Sequence, residues 1–149
     1  MALTKGDRAP AFEALDQAGK IHTLQEYRGQ WLLLYFYPKD DTPGCTAEAC
    51  GLRDRFGDLQ KLAAIIGVSA DDIESHSKFV QKYSLPFTLL ADPEKRILGA
   101  YGVGSDFKKR VSFLIDPAGV IRQIYEKVDP EKHVAEVVQN LRDLTMGMA

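Results

Sequence analysis

Apolar residues run unbroken from Trp31 to Tyr37 (WLLLYFY), the longest such stretch in the chain. A run without polar alternation predicts a strand covered on both faces, as at the centre of a parallel sheet, and Pro38 ends it. Beyond Pro38 the period changes. Cys45, Ala49, Leu52, Phe56, Leu59 and Ala63 recur at alternating steps of four and three, which places them on one face of a helix. Residues 63–70 (AAIIGVSA) predict a second short buried strand. Residues 71–84 predict a polar amphipathic helix, with Ile73, Phe79, Val80 and Tyr83 as its apolar contacts. Strand, helix, strand, helix in that order calls for parallel strands joined by right-handed crossovers.

The flanking segments add antiparallel pieces. Residues 9–29 read as short extended pieces around a turn at Gln17 to Gly19, an N-terminal hairpin. Residues 85–92 form a further strand candidate. A short helix follows, with Pro93 suited to its first position. From Arg110 to Val128 the pattern alternates through a DPAG turn, a second hairpin. Val134, Val137, Val138, Leu141 and Leu144 then mark a last helix over Pro130 to Leu144, ending before a frayed TMGMA tail. With no repeat or linker, residues 1–149 read as one α/β domain, a central mixed sheet flanked by helices.

Composition narrows the possible functions. The chain has 149 residues, enough to bury a core without disulfide staples, with 45% hydrophobic and 27% charged residues and a net charge of -2. That balance favours neither nucleic acid nor an anionic membrane as a partner. The first residues lack the basic end and apolar core of a signal peptide, and no run approaches the roughly 20 residues of a membrane span. A cytoplasmic location is the expectation. In a reducing compartment, two close cysteines point to reactivity or metal rather than a permanent staple.

Both cysteines of the chain lie in the segment YFYPKDDTPGCTAEACGLRD, at Cys45 and Cys50. Thr42 suits an N-cap and Pro43 a first helical position, so Cys45 falls in the first turn, where free N–H groups and the positive end of the dipole favour a thiolate. The end of a parallel strand feeding a helix N-terminus is also where α/β folds place ligands. Simple packing of Cys45 on the apolar face is the alternative. Five residues along a helix separate two Cα atoms by roughly 8.6 Å, and a disulfide needs less than about 7 Å. A Cys45–Cys50 bond therefore requires the first turns to unwind, which Gly44 and Gly51 should ease.

Two other chemistries fit less well. Zinc would need more ligands, whereas His22, His76 and His133 are scattered and read as surface or capping residues. A thioredoxin-like general thiol-disulfide oxidoreductase would want C-x-x-C, but Glu48 stands three residues after Cys45. Its carboxylate could bond back toward the helix start, but it cannot resolve a mixed disulfide.

Pro38, Thr42 and Cys45 in PKDDTPGC match the P-x-x-x-T-x-x-C signature of peroxiredoxins, and the cysteine five residues on resembles the Q-type branch, also called bacterioferritin comigratory protein. The resemblance continues through GDRAPAFEALDQAG, LPFTLLAD, YGV and RVSFLID. It implies a thioredoxin fold of peroxiredoxin type with an N-terminal β-hairpin extension. It also implies residue roles: Cys45 as peroxidatic cysteine, Cys50 as resolving cysteine, Thr42 directing its hydroxyl at thiolate and peroxide, Pro38 shielding the pocket, and Arg110 as the active-site arginine. Glu48 is a candidate partner for Arg110. The implied activity is a thiol-dependent, atypical 2-Cys peroxidase acting on hydrogen peroxide and organic hydroperoxides. Its Cys45 sulfenic acid condenses with Cys50, and thioredoxin or a similar dithiol reduces the disulfide. Neither metal nor organic cofactor is called for. A resolving cysteine in the same chain removes the chemical need for a second subunit, so a monomer is expected.

Overall fold

The computed structural model describes residues 3–103, 110–126, 128–129 and 132–146. Its strands are β1 (Glu13–Asp16), β2 (Ile21–Thr23), β3 (Leu32–Phe36), β4 (Ala64–Ser69), β5 (Thr88–Ala91), β6 (Val111–Ile115) and β7 (Ile121–Tyr125). Its α-helices are α1 (Pro43–Asp54), α2 (Phe56–Leu59), α3 (Ile73–Tyr83), α4 (Arg96–Ala100) and α5 (His133–Met146), with one 3-10 turn at Leu24–Tyr27.

All seven strands form one mixed sheet in the order β2-β1-β5-β4-β3-β6-β7. The β3–β4 and β4–β5 pairs are parallel, as the alternating strand-helix pattern requires, while the two hairpins and the β1–β5 and β3–β6 pairs are antiparallel. Every residue of β3 is buried, and its side chains alternate between two cores. Leu33 and Tyr35 meet Cys45, Ala49 and Leu52 of α1, Phe79 of α3 and Val137 of α5 on one face. Leu32, Leu34 and Phe36 meet Ile97 and Leu98 of α4 on the other. An unbroken apolar strand is therefore stable only here, between two packed layers.

Three expectations need correction. The helical face from Cys45 to Ala63 is not one helix, because Arg55 (φ -104, ψ 8) interrupts it, and α2 redirects the chain toward β4. Pro93 does not open α4. Residues 92–95 make a turn first, and the Asp92 carboxylate accepts from the N–H of Arg96 and Leu98 at 2.9 Å each, moving the helix start to Arg96. The last helix runs on to Met146, past the expected end at Leu144. Its expected start at Pro130 lies outside the described residues, as do the final three residues of the tail.

Candidate active site

β3 leaves the sheet at Phe36, and residues 37–42 carry the chain into α1. Asp41 takes a left-handed conformation (φ 59), which a residue with a Cβ adopts at some cost. Helix α3 holds it there. Lys82 Nζ and the Tyr83 hydroxyl donate to its two carboxylate oxygens, each at 2.7 Å. Asp40 is gripped from the same helix: its Oδ2 accepts from Ser75 Oγ at 2.8 Å and faces His76 Nδ1 at 2.6 Å, while its Oδ1 accepts from the Tyr37 hydroxyl at 2.6 Å. Because His76 Nε2 faces the Leu90 carbonyl at 2.9 Å it must carry a hydrogen, and a further hydrogen lies between Nδ1 and Asp40. Two successive loop residues are thus tied to α3.

Thr42 is the N-cap by backbone position (φ -90, ψ 155), and Pro43 follows in the first turn. Its hydroxyl does not cap the helix as expected. It donates to the Lys39 carbonyl at 3.0 Å, which closes the loop and leaves the oxygen lone pairs for another donor. Pro38 is half-buried beside it. Cys45 sits in the first turn of α1, 1% exposed, and Cys50 lies farther along the same helix, half-buried. Both thiols are free, as expected for two cysteines five apart on a continuous helix.

Arg110, immediately before β6, reaches this turn from across 65 residues of sequence. Its Nη1 lies 3.2 Å from Cys45 Sγ and 3.4 Å from Glu48 Oε1. The lysines preceding it, Lys108 and Lys109, lie outside the described residues. Glu48 has no exposed surface, and it pairs with Arg110 rather than with the helix start. Burial pushes its carboxyl up to about 7, with Arg110 pulling the other way. Glu48 Oε2 and the buried Tyr35 hydroxyl have no hydrogen-bond partner among the described residues. Gly44 is required by this packing, since a Cβ there would overlap the Arg110 guanidinium.

None of the three histidines is a surface residue, contrary to expectation. His22 (8% exposed) pairs with Asp16 and Tyr27, His76 (0%) with Asp40 and the Leu90 carbonyl, and His133 (2%) with Ser112 Oγ at 2.9 Å. Both ring nitrogens of His22 and His76, and Nε2 of His133, find partners that make burial possible. Asp40, Asp71 and His76 lie close enough to resemble a metal-ligand set. Their atoms are matched to one another and to neighbours instead, with Asp71 Oδ2 accepting from the Asp40 N–H and Ser69 Oγ, so the cluster braces the loop. Reading the sequence missed the bracing residues Asp40, Asp41, Ser75, His76, Lys82 and Tyr83. The two aspartates stand inside the quoted motif, but nothing in their spacing announces partners more than 30 residues away.

The chain has known relatives in both sequence and structure. Residues 5–124 match the model of the AhpC/TSA family. Over 151 residues the chain is 44% identical to a protein of Coxiella burnetii named putative peroxiredoxin bcp, covering 95% of this chain and all of that one. It is 41% identical over 155 residues to peroxiredoxin Bcp of Bacillus subtilis, covering 97% and 99%. The solved bacterioferritin comigratory protein of Xanthomonas campestris, described in terms of its alkyl peroxide reduction activity, superposes with a TM-score of 0.83 at 32% identity, over 89% of this chain and 90% of that one.

Proposed function

Because the chain belongs to the AhpC/TSA family, among its Bcp and peroxiredoxin Q proteins, and is a thiol-dependent peroxidase, we propose that Cys45 is the sulfur that attacks peroxide. The observation that carries this assignment is the Arg110 Nη1 contact with Cys45 Sγ, 3.2 Å, at the first turn of α1. A fixed cation and a helix N-terminus both favour the thiolate, the nucleophilic form.

In the proposed cycle the Cys45 thiolate attacks one peroxide oxygen. An S–O bond forms as the O–O bond breaks, the sulfur is oxidised to a sulfenic acid, and water or an alcohol leaves. Arg110 donates to the oxygens as charge moves onto the leaving atom. Thr42, whose own hydrogen goes to Lys39, accepts the O–H of the peroxide and orients it. Pro38 covers the pocket against water. The start of α1 then unwinds, Cys50 condenses with the sulfenic acid with loss of water, and an external dithiol of thioredoxin type restores both thiols by exchange.

Hydrogen peroxide and organic hydroperoxides are the substrates, and the activity needs no assembly with a second subunit. Two cysteines kept for reaction rather than for a permanent bond suit a reducing compartment such as the cytoplasm. No helix among the described residues is long and apolar enough to cross a membrane. The test is peroxide consumption by the purified chain with a reducing dithiol system. Turnover that survives Cys45→Ser would overturn the assignment.

A further inference from the structure

Resting on the assignment of Cys45 as the attacking sulfur, we infer that Cys45 and Glu48 share a single proton across the Arg110 guanidinium, so that Glu48 takes up the proton the thiol gives up and releases it when the sulfur is oxidised. One Arg110 nitrogen faces both Cys45 Sγ and Glu48 Oε1, which therefore lie no more than two hydrogen-bond lengths apart. Cys45 is 1% exposed, Glu48 0%, and the Arg110 side chain 17%. Among the described residues Arg110 is the cation set against both groups, so a thiolate and a carboxylate together would leave one buried negative charge without a paired cation, which is strongly unfavourable away from water. One cation balances one anion, so ionisation of the sulfur and of the carboxyl are alternatives.

The groups around Glu48 fit this account. Cys45 lies one turn earlier on α1, Arg110 approaches from the start of β6, and the Tyr35 phenol of β3 is near enough for a Glu48 carboxylate to oppose its ionisation. Helix α5, packed on α1, contributes apolar Val134, Val137, Val138 and Leu141 to the shared core. Among the described residues Glu48 Oε2 has no hydrogen-bond partner, so nothing there stabilises a charge on that oxygen. Burial also lifts the Glu48 carboxyl to about 7, where it can exchange a proton near neutrality.

Atoms and charges balance. The two forms of the site, Cys45–SH beside a Glu48 carboxylate and a Cys45 thiolate beside Glu48–COOH, interconvert with no proton crossing to solvent, and the second is the one that reacts. The thiolate then displaces the far peroxide oxygen; sulfur loses two electrons and the peroxide gains them. Once the sulfur is a sulfenic acid, Arg110 is free to hold the Glu48 carboxylate. The carboxyl proton then passes through pocket water to the leaving oxygen, completing water or an alcohol.

The experiment uses Cys50→Ser protein, which stops after one oxidation, at a pH near 7 where ultraviolet thiolate absorbance shows Cys45 ionised. Protons exchanged with weakly buffered solvent are counted by an indicator dye on addition of hydrogen peroxide. Adding Glu48→Gln to this protein should increase proton uptake by about one per Cys45 oxidised, because the internal source is gone. Equal uptake with and without Glu48→Gln overturns the inference. Should the glutamine variant fail to fold, infrared difference spectra of the Cys50→Ser protein decide: peroxide should remove the carbonyl band of a protonated carboxylic acid, and an unchanged band overturns the proposal. If Cys45 gains no oxygen by mass in any of these proteins, the attacking-sulfur assignment falls and takes this inference with it. The other two outcomes remove only the shared proton.

Discussion

The guanidinium of Arg110 occupies the space that a Cβ on Gly44 would need. Position 44 must therefore lack a side chain for position 110 to reach the sulfur. Gly44→Ala should displace Arg110 and slow the first peroxide-dependent step by about 100-fold, the usual penalty for misplacing a positioned group by about 1 Å. Global stability should change little, since alanine is otherwise favoured over glycine in a helix by about 1 kcal/mol. Stopped-flow oxidation alongside thermal melting checks both halves.

The two sulfurs should separate cleanly by mass. One equivalent of peroxide should remove two hydrogens from the wild-type protein and add no oxygen. Cys45→Ser should show no change, and Cys50→Ser should gain oxygen at Cys45. Intact-mass spectrometry reads all three, and oxygen retained by the wild-type protein would contradict the roles given to the pair.

Freeing the loop from α3 should favour the opened state. Lys82→Met combined with Tyr83→Phe removes both donors to Asp41 without touching Cys45, Cys50 or Arg110. Disulfide formation should become faster and sulfinic acid at Cys45 rarer at the same excess of peroxide, because resolution competes with over-oxidation. Rapid quenching with thiol alkylation and mass analysis measures that partition.

His133 should set part of the acid sensitivity of the fold. Burial lowers its imidazole from 6.5 to about 4, so the folded protein holds it neutral while the unfolded chain protonates it. Stability from this group is complete above about 6.5 and is lost as pH falls toward about 4, in total about 3 kcal/mol. Glu48, raised to about 7 by burial, works in the opposite direction, since its neutral form suits the fold and its stability rises as pH falls from about 7 toward the ordinary glutamate value. Urea unfolding of the wild type and His133→Asn at several pH values isolates the histidine contribution. Parallel pH profiles for the two proteins would refute it.

Legibility in the sequence followed the range of the interaction. The buried character of β3, the pairing of the two hairpins and the place of Cys45 at a helix start are local, written in period and punctuation over 10 to 20 residues. Arg110 could be singled out only by its likeness to a family motif, since on its own it was one cation in a KKR cluster. Burial of His76 and His133 was not legible because their partners Asp40 and Ser112 are distant in sequence, and burial of His22 because no period encodes its pairing with Asp16 across the first hairpin. The delayed start of α4 is local by contrast, set by the Asp92 carboxylate accepting from the N–H groups of Arg96 and Leu98, which helical period does not encode.

Arg53 Nη1 donates to the Tyr83 carbonyl at 2.8 Å, so the second half of α1 is fastened to α3 well past Cys50. Opening of the helix start therefore has a fixed end, and the segment that must re-form after each reduction is only about two turns long, growing back from an intact template. Helix growth of this kind takes about a microsecond or less, against roughly a millisecond to a second for a typical enzymatic turnover. In the proposed cycle the helix start is thus restored well within one turnover, ready for the next encounter with peroxide.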